Sequence, residues 1–215
     1  LNTHPHIIVL AAGQSTRFGA NQHKLLQPWL GTTLLENTLR HGVASHLPMV
    51  VVTTEPLAAV ARQHVAARDV VVLPAMGSGS SSPLGVGFSI AAGVAASPNA
   101  SGWLVLPADM PLIQPATLQR VARQLAGHPV VFAQYHGRRG HPVGFAAELY
   151  SELTSLTGDD GAKRLVARYP AHAVIVDDPG VLLDVDTPAD LNEARRMHHA
   201  ATLAASEQAK VQQAL

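Results

Sequence analysis

Unbroken apolar runs alternate along this chain with segments whose apolar residues recur every three or four positions, and that rhythm predicts its elements. Residues 6–12 form an apolar run closed by Gly13, the pattern of a strand covered on both faces. Runs at 49–53, 70–73 and 103–106 read the same way, the last stopping at Pro107. Between them, Thr33 and Glu36 have capping-box spacing ahead of a helical period over 34–44. Pro56 opens a helix predicted over 56–67, and a Gly/Ser-rich loop at 76–87 precedes another at about 88–96. A helix over 115–126 follows, then strands at 130–135 and 141–145 joined by a turn at 136–140. Short helices at about 147–156 and 161–167, strands at 173–176 and 181–185, and a long helix from Pro188 complete the order. This alternation predicts an α/β fold: a single-domain, mainly parallel twisted sheet with helices on both faces, Rossmann-like in its layering. Residues 1–196 are assigned to that domain. Residues 197–215, weakly periodic, are assigned to the end of the last helix and a fraying tail.

Composition narrows the classes of function. The 215 residues suit one domain with one substantial core, and 15 basic against 15 acidic residues, with no long run of one sign, argue against a nucleic-acid binder. No apolar stretch approaches the roughly 18 residues that would span a bilayer. The opening LNTHPHIIVLAAG lacks a charged leader pattern and reads better as a strand, so the expected compartment is the cytoplasm by default. With no cysteine, disulfides, thiol catalysis and thiolate metal sites are excluded. The 12 histidines show no metal-ligand spacing, and all but His141 read as surface or capping residues.

In doubly wound sheets ligands sit beyond the carboxyl ends of the strands, and the informative residues fall there. The first strand runs into LAAGQSTRFG (Leu10, Ala11, Ala12, Gly13, then Arg17), with Lys24 a few residues on. Small residues let backbone N–H groups curl around phosphate, Arg17 offers a two-pronged cation, and Lys24 a mobile point charge. Neither the P-loop Gly-Lys-Ser/Thr nor G-x-G-x-x-G is present, and a plain strand-to-helix turn with two surface cations also accounts for the pattern. The fourth strand ends in LPADMP, where Asp109 stands between two prolines as a hard oxygen ligand suited to Mg2+. In LDVDTPADL, strand alternation places Asp184 and Asp186 on one face, with Thr187 and Pro188 opening the last helix. Of these two aspartates, Asp184 reads as the structural one.

LAAGQSTRFG with Lys24, LPADMP, GHPVGF, GDDGAKRL and DVDTPADL together resemble the molybdenum cofactor cytidylyltransferases, within the wider GT-A-like nucleotidyltransferases. The likeness runs from about Ile7 to Ala194. It implies a Rossmann-like nucleotidyltransferase fold that moves CMP from CTP to molybdopterin with Mg2+ and releases pyrophosphate. By the same resemblance, Leu10, Ala11, Ala12, Gly13, Arg17, Lys24, Ser89 and Asp109 would bind the nucleotide, with Arg17, Lys24 and Asp109 catalytic. Asp109 and Asp186 would ligate the metal. Gly140, His141, Pro142 and Asp159 would face the acceptor, and a molybdenum enzyme would receive the product. Ala12 stands where the guanylyltransferase branch reads glycine, which implies the cytidylyl preference.

Other readings stay open at this point. One is a GTP-using guanylyltransferase, or a cytidylyltransferase for another small acceptor. A second is a non-catalytic nucleotide-binding accessory protein for molybdenum enzymes. A third class, serine hydrolysis, is suggested by Gly87-Phe88-Ser89-Ile90-Ala91 but opposed by the loop-like residues before it and the final alanine.

Overall fold

A computed structural model of the chain describes residues 4–13, 18, 23–74, 85–159 and 161–213. The strands are β1 (His6–Ala11), β2 (Pro28–Trp29), β3 (Thr32–Thr33), β4 (Met49–Thr54), β5 (Val70–Leu73), β6 (Gly102–Pro107), β7 (Val130–Tyr135), β8 (Arg138–Ala146) and β9 (Ala171–Ile175). The helices are α1 (Leu34–Ala44), α2 (Glu55–Ala61), α3 (Gly85–Ala95), α4 (Pro115–Gln124), α5 (Tyr150–Thr154), α6 (Gly161–Arg168) and α7 (Pro188–Gln213).

Seven strands form one sheet in the order β5-β4-β1-β6-β8-β7-β9. Every pair is parallel except those of β8, which runs against both β6 and β7. The central strands are buried over most of their length, as their apolar runs require. From β1 the chain winds outward through β4 to β5, then returns through α3 to β6 on β1's other side. The switch point therefore lies between β1 and β6, and a crevice opens at their carboxyl ends.

Helices cover both faces. Leu35 and Leu39 of α1, Leu57 of α2, and Leu118 and Val121 of α4 share one core with Ile7, Val9 and Leu106. Ile90 and Val94 of α3, Leu153 of α5 and Leu165 of α6 share the other with Ile8, Trp103 and Phe145. A third cluster joins Trp29 of β2 to Leu34, Val185 and the first turns of α7, Leu191 and Ala194. Beyond His198 the described side chains of α7 face solvent.

Several boundaries differ from the periodicity. Helix α2 stops at Ala61, and residues 67–69 form a separate 3-10 turn, so the helix expected over 56–67 is half as long. Helix α3 begins at Gly85 within the expected loop, of which residues 76–84 lie outside the described part. The five-residue turn expected at 136–140 is a two-residue hairpin: Tyr135 pairs with Arg138, and His136 and Gly137 take φ of 46° and 77°. The strand expected at 181–185 is absent. Pro179–Leu182 is a 3-10 turn and irregular chain follows, in which Val185 N–H donates to the Asp109 carbonyl at 3.0 Å.

Candidate active site

Among the described residues, the crevice between β1 and β6 brings together the charged side chains of Lys24, Asp109 and Asp186, each delivered by a different device. Beyond β1 the chain passes through half-buried Ala12 and exposed Gly13; Arg17 lies outside the described residues. Lys24 opens a one-turn 3-10 helix, Lys24–Leu26, whose N-cap His23 accepts the Leu25 N–H at Nδ1 over 3.3 Å. Leu25 is buried, and the adjoining β2–β3 hairpin is pinned by the fully buried ring of Trp29. Together these turn Lys24 back toward the mouth of β1.

Asp109 follows β6 by two residues. Ala108 N–H donates to the Leu10 carbonyl at 3.1 Å, which extends the β1–β6 pairing up to the aspartate. The loop beyond it is clamped from the helical layer. Asn37 Nδ2 donates to the Pro111 carbonyl and the His41 ring to the Ile113 carbonyl, each at 2.6 Å. Buried Asp178 accepts the Gln114 N–H and the Thr117 hydroxyl, joining this loop to the start of α4. Asp186 is set by the start of α7, where Asp190 Oδ2 accepts the backbone N–H groups of both Asp186 and Thr187 and the Thr187 hydroxyl. In return, Thr187 Oγ1 accepts the Asp190 N–H, a capping box with aspartate in the usual place of glutamate.

The three charges meet. Lys24 Nζ donates to Asp109 Oδ2 at 2.5 Å and to Asp186 Oδ1 at 2.6 Å. The Lys24 and Asp109 side chains are 14% and 12% exposed and that of Asp186 36%, so the site grades from buried to open. Burial pushes the Asp109 carboxyl up, and Lys24 offsets only part of that push. Burial alone would lower the Lys24 ammonium, yet the two carboxylates outweigh it and raise it. Asp109 Oδ1 is buried without a hydrogen-bond partner. An anionic oxygen left without a donor is an available ligand position, and it suits a hard cation. Among the described residues no group of three or more His, Asp or Glu gathers elsewhere as a metal site. Two carboxylates supplemented by phosphate oxygens are the usual Mg2+ arrangement.

His141 also belongs to this crevice. It lies on β8 two residues before Val143, which pairs with Val105 of β6, so it sits beside the end of β6. Burial lowers its pKa, while the charges of Asp109 and Asp184 act to raise it; Nδ1 is buried without a partner. Gly140 and Pro142 are buried. A Cβ on Gly140 would stand 2.2 Å from the Val181 carbonyl oxygen, so this glycine serves the packing of β8 on the 179–182 turn.

The remaining sequence candidates are placed less centrally. Ser89 is half-buried on α3. Asp159 accepts the Val86 N–H at 3.0 Å and so caps the start of α3, a structural duty that the motif did not signal. Asp184 is exposed, and because residues 183–187 are irregular the expected shared strand face with Asp186 does not exist. Asn37, His41, Asp178 and Asp190 were missed as supports of the site. For Asp190 a signal was present, the T-x-x-D spacing from Thr187; the others are joined only by tertiary structure.

The model of the MobA-like NTP transferase domain matches residues 7–174 of this chain. The purine catabolism protein PucB of Bacillus subtilis (strain 168) is 29% identical over 204 residues, 88% of this chain and 95% of that protein. Rv0371c of Mycobacterium tuberculosis H37Rv superposes with a TM-score of 0.74 at 30% identity, covering 90% of this chain and 97% of that one. The structure of Rv0371c in complex with manganese gives 0.71 at 29% identity, over 89% and 97%.

Proposed function

This chain belongs to the MobA-like NTP transferase domain family, a family of nucleotidyltransferases, and we propose that it transfers the CMP group of CTP to molybdopterin with release of pyrophosphate. The observation that carries the nucleotidyl-transfer reading is the convergence of Lys24, Asp109 and Asp186 at the β1–β6 switch point. In the reaction an acceptor phosphate oxygen forms a bond to the α-phosphorus while the bond to the β-phosphate breaks, and the electron pair leaves with pyrophosphate. Charge accumulates on phosphate oxygens throughout, so positioning and electrostatic compensation are what a protein must supply.

Each group has a part to play. Backbone N–H groups after β1, with Arg17 and Lys24, would hold the triphosphate. Asp109 and Asp186 would hold Mg2+, which when bound neutralises phosphate charge; the unpartnered Asp109 Oδ1 and the manganese complex of Rv0371c support that assignment. His141, kept neutral by burial, would present an uncharged imidazole to the acceptor, where an added positive charge would compete with Lys24 for phosphate. Ser89 and Asp159 would lie at the rim of the nucleotide and acceptor.

The choice of base rests on Ala12. It follows β1 directly and is half-buried, where backbone would come near a bound nucleotide. Its methyl group would narrow the space for a purine. Differences of one methyl in a pocket are worth about 1–3 kcal/mol, so CTP should be preferred to GTP by roughly 10- to 200-fold in kcat/KM. Ala12→Gly should shrink that ratio. Steady-state pyrophosphate release with each nucleotide and molybdopterin is the test, and equal kcat/KM for CTP and GTP in the unaltered protein would reject the cytidylyl assignment.

A further inference from the structure

Lys24 holds a position that a divalent cation would need. Its ammonium donates to Asp109 Oδ2 and Asp186 Oδ1 together, at 2.5 and 2.6 Å. A cation ligated by that pair requires the same space between the same oxygens. Asp109 Oδ1 also stays buried without a donor, so the compensation of that carboxylate is incomplete. The lysine is also mounted to move. It opens a single 3-10 turn held by the buried Leu25 and the His23 cap, and its flexible four-carbon stem can carry the ammonium elsewhere while the turn stays put.

We propose that Lys24 is a resident counter-ion that closes the carboxylate pair to divalent cations until a triphosphate draws it away, so that metal and nucleotide load together. The proposal rests on the reading of Asp109 and Asp186 as the metal pair. A triphosphate entering at Gly13 offers the ammonium several anionic oxygens in exchange for two carboxylates. Withdrawal of Lys24 removes its ammonium from between Asp109 Oδ2 and Asp186 Oδ1, and a doubly charged cation then enters that space. The device keeps the empty crevice from trapping metal. It also couples the two ligands thermodynamically: whatever the triphosphate does for the cation, the cation does for the triphosphate.

The test measures metal binding directly, with no turnover. Free Mn2+ is followed by electron paramagnetic resonance during titration of the nucleotide-free protein, its Lys24→Met variant, and the double variant that adds Asp109→Asn. Lys24→Met should bind Mn2+ at least about tenfold more tightly than the unaltered protein, within the usual range of coupling between sites, and Asp109→Asn should abolish the gain. Equal Mn2+ affinity with and without Lys24, both dependent on Asp109, would overturn the counter-ion role and leave the metal pair standing. Absence of Asp109-dependent binding in every form would instead overturn the metal reading beneath it. Should Lys24→Met fail to fold, the unaltered protein still decides. Its sequence holds three lysines, Lys24, Lys163 and Lys210, so the Lys24 ammonium can be followed by 15N NMR. Mg2+ with a non-hydrolysable CTP analogue should shift that signal, while the same Mg2+ alone should leave it in place. A signal displaced by Mg2+ alone would reject the proposal.

Discussion

Burial pushes the Asp109 carboxyl up from its ordinary range, and the Lys24 ammonium 2.5 Å away pulls it back only in part. The folded chain therefore holds the proton more readily than the unfolded chain does. Ionising Asp109 thus works against folding at any pH above the ordinary carboxylate range. An asparagine keeps the shape and removes the charge, and Lys24 retains Asp186 as its partner, so no buried charge is stranded. Asp109→Asn should accordingly melt at or above the temperature of the unaltered protein in EDTA, while nucleotidyl transfer slows at least about 100-fold, near 3 kcal/mol in the barrier. Calorimetry and steady-state kinetics on the same preparation check both halves. Melting well below the unaltered protein would make Asp109 a piece of scaffold, and near-normal turnover would remove it from the reaction.

At the scale of elements, strand β8 is the piece on which the His141 side of the crevice depends. It runs against its neighbours, which brings its first residues, rather than its last, to the carboxyl edge of the sheet beside Asp109. Gly140 lets it lie against the 179–182 turn, since a Cβ there would meet the Val181 carbonyl oxygen at 2.2 Å, where backbone cannot yield cheaply. Gly140→Ala should therefore cost about 1–3 kcal/mol in urea unfolding, the usual penalty of overpacking. An unchanged midpoint would show that the turn moves aside freely and that Gly140 is kept for another reason. Periodicity could find β1, β4 and β6, because strands buried on both faces must be apolar throughout. It could not find the reversal of β8, since strand order depends on which edges meet. The Val181–Val185 misreading has the same root: its residues are mostly apolar like a strand, but Pro179 and Gly180 start a 3-10 turn and among the described residues no neighbouring ladder accepts it. Lys24, Asp109 and Asp186 were legible as motif residues. Their meeting was not, being the product of the β2–β3 hairpin, the clamps of Asn37 and His41, and the Thr187–Asp190 cap.

Across the whole molecule, burial lowers the pKa of five histidines, His6, His23, His41, His64 and His141, which are spread over separate elements. Desolvation is the leading cause at each, because an imidazolium loses hydration that the interior does not fully replace. The effect on stability has a definite sign. Above the ordinary histidine range, near 6.5, both folded and unfolded chains carry neutral imidazoles and these groups contribute no pH dependence. As pH falls through that value the unfolded chain takes up protons first, and the folded state loses ground until the lowered folded values are reached. Asp109, with its raised pKa, acts in the opposite direction, but it is one group against five and titrates from the carboxylate side. The metal-free protein should therefore be less stable to urea at pH 5.5 than at pH 7.5, with the loss beginning below about pH 6.5, before exposed carboxylates protonate. Urea titrations at several pH values in EDTA, followed by circular dichroism, measure this directly. Replacing His41 by glutamine, which can still donate to the Ile113 carbonyl, should remove part of the slope and leave the rest. A midpoint independent of pH between 7.5 and 5.5 would mean that the buried imidazoles gain their protons without disturbing the fold.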